Sequence, residues 1–345
     1  MKKVAVIGSM STGSDSLNGQ TVKTKVLIKE LCLEFGDEKL YLINTSGKLR
    51  KVLVFSQIIY ALFCCSNIII LPAENGLKTI VPYLSFFNTL FKRSLHYDVI
   101  GGWLPKFLES RPYLICKLKG FSGIYVETNN MKKALEIQGL NNVFVVPNCK
   151  DLIVADEHKV KVQCLERIYF ATFSRVMKAK GIEDAVIAVH QANIYRGVNI
   201  FHLDVYGFIE PNETSWFEAL QNEYQLEMTY KGLIPFNKST DVLQQYYGLL
   251  FPTYYSGEGF AGTLIDAFAA GLPVIASDWK YNREIVQDGK DGIIVPVHAI
   301  DKITNALLWS QEHFIEWNQF KSNVIMKAKC YLPSVALKGL KDNLR

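Results

Sequence analysis

The sequence predicts an α/β protein built from two doubly wound, Rossmann-like domains in series. Three observations carry this. Short apolar strands alternate with helix-length segments from end to end. The strands are continuous Val/Ile runs rather than alternating ones, as a parallel sheet covered on both faces requires. The pattern stops at a mixed polar stretch, 148–165, and then restarts. With 345 residues, 49% of them apolar, the chain can fill two cores.

In the first half, strands are expected at 4–7, 40–43, 68–71, 97–100, 123–126 and 143–146, with helices at 22–35 and 76–93. Pro147-Asn148 ends the sixth strand. In the second half, strands are expected at 168–172, 201–206, 228–231, 249–251, 274–276 and 293–295. Helices are expected there at 182–193, 215–224, 239–247, 262–270 and 301–312. The domains are therefore placed at 1–150 and 151–330, with 331–345 as a tail that packs back on the first. Open parallel sheets bind ligands at the carboxyl ends of their strands, so the cleft between two such domains is the expected site.

Several classes are disfavoured. Val52 to Leu71 is apolar enough to suggest a membrane span. Ser56, Gln57, Ser66 and Asn67 interrupt it and Pro72 follows, so it reads as a buried helix, a turn and a strand. Met1-Lys2-Lys3 leads at once into Val4-Ala5-Val6-Ile7-Gly8, too short a run for a signal core. Seven cysteines without a CxxC spacing, and histidines without a ligand-spaced pair, lead us to expect reduced thiols and no metal site. The expected location is cytoplasmic.

Residues 1–150 carry 19 Lys+Arg against 10 Asp+Glu, and the remainder 19 against 23. A basic first half fits an anionic membrane face or an anionic acceptor, and equally a merely solvated surface. Val81, Leu84, Phe87, Leu90 and Phe91 form either a membrane- or acceptor-facing stripe or the inner face of a core helix. The positive charge is spread out rather than clustered with aromatics, which argues against nucleic acid.

Three segments carry chemistry. The loop after the first strand, Gly8 to Gln20, is small, polar and glycine-rich, and it is longer than a plain strand–helix connection needs. Its backbone N–H groups suit a phosphate or a sugar, and Gly13, Gly19 and Gln20 are its donor-side candidates. It matches neither GxGxxG nor GxxxxGK[ST]. The second segment, Phe173 to Gly181, sets Arg175 and Lys180 at a strand's carboxyl end. There they can clamp a diphosphate, or be incidental surface charges. The third runs from Phe251 to Ala276. A strand leads into Glu258 between Gly257 and Gly259. A helix then opens at Ala261, Gly262 and Thr263, carries Asp266 one turn inside, and ends at Gly271. Helix N–H groups suit a phosphate, and carboxylates suit sugar hydroxyls.

This last segment resembles the EX7E region of GT-B glycosyltransferases, in particular the retaining enzymes of glycosyltransferase family 4. Glu258 stands at the first acid and Asp266 at the second, where the family usually has Glu. Val146-Pro147-Asn148, Arg175 with Lys180, Tyr230-Lys231-Gly232-Leu233-Ile234, Ser277-Asp278 and the segment 283–295 add to the resemblance, which covers most of 143–310.

The resemblance implies that Arg175 and Lys180 hold the donor diphosphate and that Glu258 contacts the donor sugar. Backbone groups of Gly259, Phe260, Ala261, Gly262 and Thr263 would bind sugar and phosphate. Asp266 would take the ribose hydroxyls, with Tyr206, Gly207, Leu233 and Ile234 around the base. After the fourth strand the family often has a His or an acid. Here Tyr97 to Pro105 is read as ending without one, which makes Gly102 (backbone) and Trp103 (stacking) the acceptor-side candidates. His96 is read as structural.

The implied function is retaining transfer of a hexose from a nucleotide sugar, expected to be a UDP-sugar, without a metal. The acceptor is expected to be a saccharide or lipid-linked saccharide of capsule or exopolysaccharide synthesis, with the enzyme peripheral on the inner membrane face. Two alternatives stay open: another GT-B enzyme, such as a nucleotide-sugar epimerase or a phosphorylase, and a non-catalytic nucleotide- or glycan-binding partner subunit.

Overall fold

The computed structural model describes residues 2–11, 19–46, 51–156, 166–235 and 238–344. The chain divides into two compact units: Met1–Asp151 together with Tyr331–Arg345, and Leu152–Cys330.

Unit 1 holds strands β1 (Lys2–Gly8), β2 (Leu40–Asn44), β3 (Cys65–Ile70), β4 (Ser94–Asp98), β5 (Gly123–Val126) and β6 (Val143–Val145). They form one parallel sheet in the order β2-β1-β3-β4-β5-β6. Unit 2 holds β7 (Ile168–Phe173), β8 (Phe201–Tyr206), β9 (Met228–Gly232), β10 (Gly248–Phe251), β11 (Val274–Ser277) and β12 (Gly292–Val295). This sheet is also parallel, in the order β12-β11-β10-β7-β8-β9. Counted within the unit, that is the 3-2-1-4-5-6 order of dinucleotide-binding sheets, which reverses between β7 and β10.

Both sheets are sealed by helices, which explains the unbroken apolar strands. Ile68, Ile69 and Ile70 are fully buried, as are Leu249, Leu250 and Val274. Trp317, Phe170 and Tyr247 close one end of the unit 2 core, packed so tightly on Gly248 that a Cβ there would lie 2.6 Å from Phe170. In unit 1 the C-terminal residues Leu337, Leu340 and Leu344 join the core of β1 and the helix Gly19–Phe35. Lys341 pairs there with Glu30 at 3.2 Å, and Asn343 donates to the Tyr125 hydroxyl.

The apolar stretch after residue 50 is a helix, Lys51–Cys64, running directly into β3. Among the described residues no helix is long and apolar enough to cross a membrane. The stripe on Glu74–Phe91 is divided: Val81 and Leu84 are fully buried, whereas Leu90 is 76% exposed. Three elements differ from expectation. The turn expected between the apolar helix and the third strand is absent, Ser66 and Asn67 lying inside β3. The helix expected at 239–247 is only Ser239–Leu243, and the fourth strand lies at Ser94–Asp98 rather than 97–100. The strand thus ends on a polar residue, Asp98, which corrects the reading of a strand end without one.

Candidate active site

In unit 2 the loops after β7, β8 and β10 converge where the strand order reverses. Gly207 sets the first contact. Its φ of +143° and a would-be Cβ 1.7 Å from the Ser174 carbonyl oxygen admit only glycine. Backbone bonds from Val176 to Phe208 and from Glu210 to Val176 then extend the β7–β8 pairing beyond the sheet. This lays Arg175 against Glu210, with Nη1–Oε1 at 2.7 Å. Gly181, at φ +71°, turns the β7 loop against Pro252, with a would-be Cβ 2.1 Å from its carbonyl oxygen. Tyr254 N–H donates to the Ala179 carbonyl at 2.9 Å and joins the β7 and β10 loops.

These turns carry Lys180 to Glu258. The ammonium lies 2.7 Å from Glu258 Oε2, and the Thr253 hydroxyl donates to the same oxygen at 3.0 Å. Lys180 and Glu258 side chains are 9% and 8% exposed. Tyr255 stands between the two cations, its ring 4.8 Å from Lys180 Nζ and 5.3 Å from the Arg175 guanidinium. Gly257 lets the chain pass under that ring, because a Cβ there would lie 2.7 Å from it. Burial works against the charge on Arg175, but Tyr255 and Glu210 outweigh it and raise its pKa. Two cations, one aromatic face and one carboxylate can together engage a diphosphate and a hydroxylated ligand.

The helix Gly262–Ala269 opens beside them. Ala261 is extended, and the Thr263 hydroxyl donates to the Phe173 carbonyl at 2.5 Å, fixing the helix start to the end of β7. Gly259, Phe260 and Ala261 are buried, and Gly262 and Thr263 are half-buried. Asp266 is fully buried, and its Oδ1 accepts from the Ser239 hydroxyl at 2.9 Å.

On the β8 side, Tyr206 is buried and its hydroxyl meets that of Tyr246 at 2.7 Å. Tyr246 also donates to Asp204. Burial, then the Tyr206 and Asp204 contacts, hold the Tyr246 phenol far above its ordinary range. Burial tends to raise Asp204, but His202, Tyr246 and Lys231 hold its carboxyl below the usual value. Ile234 is half-buried after β9, close to residues 236–237, which lie outside the described residues.

In unit 1, Gly13 lies outside the described residues. Gly19 is the first residue of its helix, and Gln20 Nε2 donates to the Leu71 carbonyl at 2.7 Å. Gly102 is buried. Trp103 is half-buried and donates its indole N–H to the Ile100 carbonyl at 2.8 Å. His96 is buried within β4 between Tyr125 and Asn67, and burial pushes its imidazole down to about 4.

The structure thus brings Arg175, Lys180, Glu258 and Thr263 together in unit 2, with Asp266 packed inward on Ser239. Sequence reading missed Thr253, Tyr255, Glu210 and Ser239. Tyr255 had a signal, an aromatic residue flanking a glycine-rich turn. The other three gain meaning only from loop contacts between distant strands.

The fold and this loop cluster define the class. The chain has the GT-B fold. It superposes with a TM-score of 0.75 on Anabaena Alr3699/HepE solved in complex with UDP, at 14% identity over 100% of this chain and 99% of that one. Sucrose-phosphate synthase from Thermosynechococcus elongatus matches with a TM-score of 0.73, at 16% identity over 99% and 98%. Residues 167–312 match the family model described as Glycosyl transferases group 1. The GtfA subunit of the UDP-N-acetylglucosamine–peptide N-acetylglucosaminyltransferase of Streptococcus gordonii is 32% identical over 174 residues, 47% of this chain and 32% of that protein. The chain therefore spans about a third of the length of this curated relative.

Proposed function

We propose that the protein is a retaining glycosyltransferase that moves a hexose-type sugar from a UDP-sugar to a saccharide or lipid-linked saccharide acceptor. The observation that carries this is the convergence of Arg175, Lys180 and Glu258 around Tyr255 at the strand-order reversal of unit 2. The group 1 match over the same residues supports it, and so does the UDP held by the structural relative HepE.

In this reading Arg175 and Lys180 stabilise the negative charge that grows on the leaving diphosphate as the sugar–oxygen bond breaks. The acceptor oxygen forms its bond to the anomeric carbon on the same face. Its proton passes to the departing phosphate oxygen, so no separate base is required. Glu258 orients the sugar by accepting from its hydroxyls, and Lys180 with Thr253 holds that carboxylate in place. Two cationic side chains serve as the charge partners of the diphosphate, so turnover is expected to persist in a chelator.

The test is a thermal-shift series with UDP, GDP, ADP and TDP in EDTA, on the wild type and on Lys180→Ala. Native-state binding raises the apparent stability according to concentration over Kd. A UDP shift lost in Lys180→Ala supports the donor site, whereas a wild type that responds to no nucleotide overturns it.

A further inference from the structure

The first two turns of the helix Gly19–Phe35 hold the carboxyl ends of four strands of unit 1. Thr21 meets Ser9 after β1, and Thr24 packs on Gly8 at its end. Gln20 bonds Leu71 after β3. Lys23 reaches further. Its ammonium pairs with Asp98 at the end of β4 at 3.0 Å and with Glu127 just after β5 at 3.3 Å, and it donates to the Val99 carbonyl at 2.8 Å. Lys23, Asp98 and Glu127 side chains are 3%, 0% and 2% exposed.

An ion cluster this dry is an expensive way to hold a helix on a sheet, since apolar side chains of similar volume do that as well or better. What it supplies is direction. The Lys23–Val99 bond is aimed at a backbone carbonyl, and Val99 N–H is fixed in turn on the Tyr125 carbonyl. Val99 is the root of the short loop through Gly101, at φ +79°, and Gly102 to Trp103, whose indole is anchored on Ile100 within the loop.

We propose that Lys23, with Asp98 and Glu127, is the positioning residue of the loop Val99–Trp103 and sets the acceptor-side surface of unit 1. The proposal rests on reading that loop as the acceptor side. Lys23 itself, sealed from solvent, touches no substrate.

The experiment compares wild type with the charge-free, apolar variant Lys23→Met/Asp98→Leu/Glu127→Met by amide hydrogen exchange and thermal denaturation, with and without UDP. With every charge removed together, no ion is left buried alone, and the expected melting temperature is at or above that of the wild type. Exchange of the amides of 99–103 is expected to accelerate about tenfold or more relative to β1 and β3. UDP release from UDP-glucose or UDP-N-acetylglucosamine is expected to show a lower kcat at unchanged donor KM. A merely structural role changes exchange across the whole sheet in step with the melting temperature. That result, or an unchanged loop, overturns the proposal. Glu127→Gln alone keeps an oxygen acceptor for Lys23 and serves if the triple variant does not fold. It is expected to accelerate loop exchange by about two- to fivefold, and no acceleration counts against the proposal equally. Failure of the donor-site reading is separate, because it removes the UDP response from the wild type.

Discussion

Both units place a lysine–carboxylate group at the carboxyl ends of the strands of a parallel sheet, and the two groups are built in opposite ways. In unit 2, cations and carboxylates are matched two against two, and Arg175 keeps 48% of its side chain exposed. In unit 1 two carboxylates face one ammonium, and all three side chains are sealed. There burial opposes the charge on Lys23, but Asp98 and Glu127 overcome it and raise its pKa, while burial raises that of Asp98. A group that meets a ligand keeps part of its charge reachable, here on Arg175, although Lys180 and Glu258 are only 9% and 8% exposed. A charge that holds the backbone gains from being dry, because its bonds strengthen as water is excluded. On the proposed reading, the same fold uses one kind of group to bind and the other to fix shape.

The comparison is broken most directly by removing each lysine alone. Lys23→Met leaves two buried carboxylates without their cation and is expected to cost about 3–5 kcal/mol of stability in denaturant unfolding. The folded fraction is expected to keep its response to UDP. A variant that unfolds at the wild-type midpoint would show that the sealed group does not carry the load assigned to it. Lys180→Ala is expected to do the reverse in function. It should lower turnover by a hundredfold or more, about 3 kcal/mol of transition-state stabilisation, and abolish the UDP response. Arg175→Ala is expected to lose less, because that side chain is half exposed and already shared with Glu210.

A pH series sharpens the sealed side of the contrast. His96 has an ordinary pKa of 6.5 and is held at about 4 by burial between Tyr125 and Asn67. The unfolded chain therefore binds the proton more readily than the folded one. The stabilisation is complete above about 6.5 and is lost as pH falls towards about 4, by at most about 3 kcal/mol. His96→Gln should flatten that part of the stability–pH curve. A wild-type curve already flat between those values would mean that His96 titrates normally.

The contrast also marks what was legible in the sequence. Strands such as β7 and β11 are plain because they are dry apolar runs bounded by turn residues. β4 is displaced from its expected place because hydropathy points to Val99 and Ile100, whereas the real strand carries buried His96 and Asp98. Arg175, Lys180 and Glu258 stand out because glycines and strand ends surround them. Lys23 does not. Beside Lys25 and Lys29 it reads as one more solvated charge on an amphipathic helix, and only the parallel crossover brings it to residues 75 and 104 positions away. Contacts made by sheet order, rather than by local pattern, are what a single sequence withholds.

The smallest expected effect tests the inward-facing acid of unit 2. Asp266 is one methylene shorter than Glu and is fully buried, with Ser239 donating to it. Ser239→Ala removes one hydrogen bond to a buried carboxylate and should cost about 1–2 kcal/mol of stability. If Asp266 takes the ribose hydroxyls, the same change should also alter how the protein distinguishes UDP from 2′-deoxy-UDP, since the carboxylate loses the contact that orients it. If stability falls while that discrimination is unchanged, Asp266 belongs with Lys23 as a buried structural charge, and the boundary between the binding group and the shape-fixing group runs through unit 2 itself.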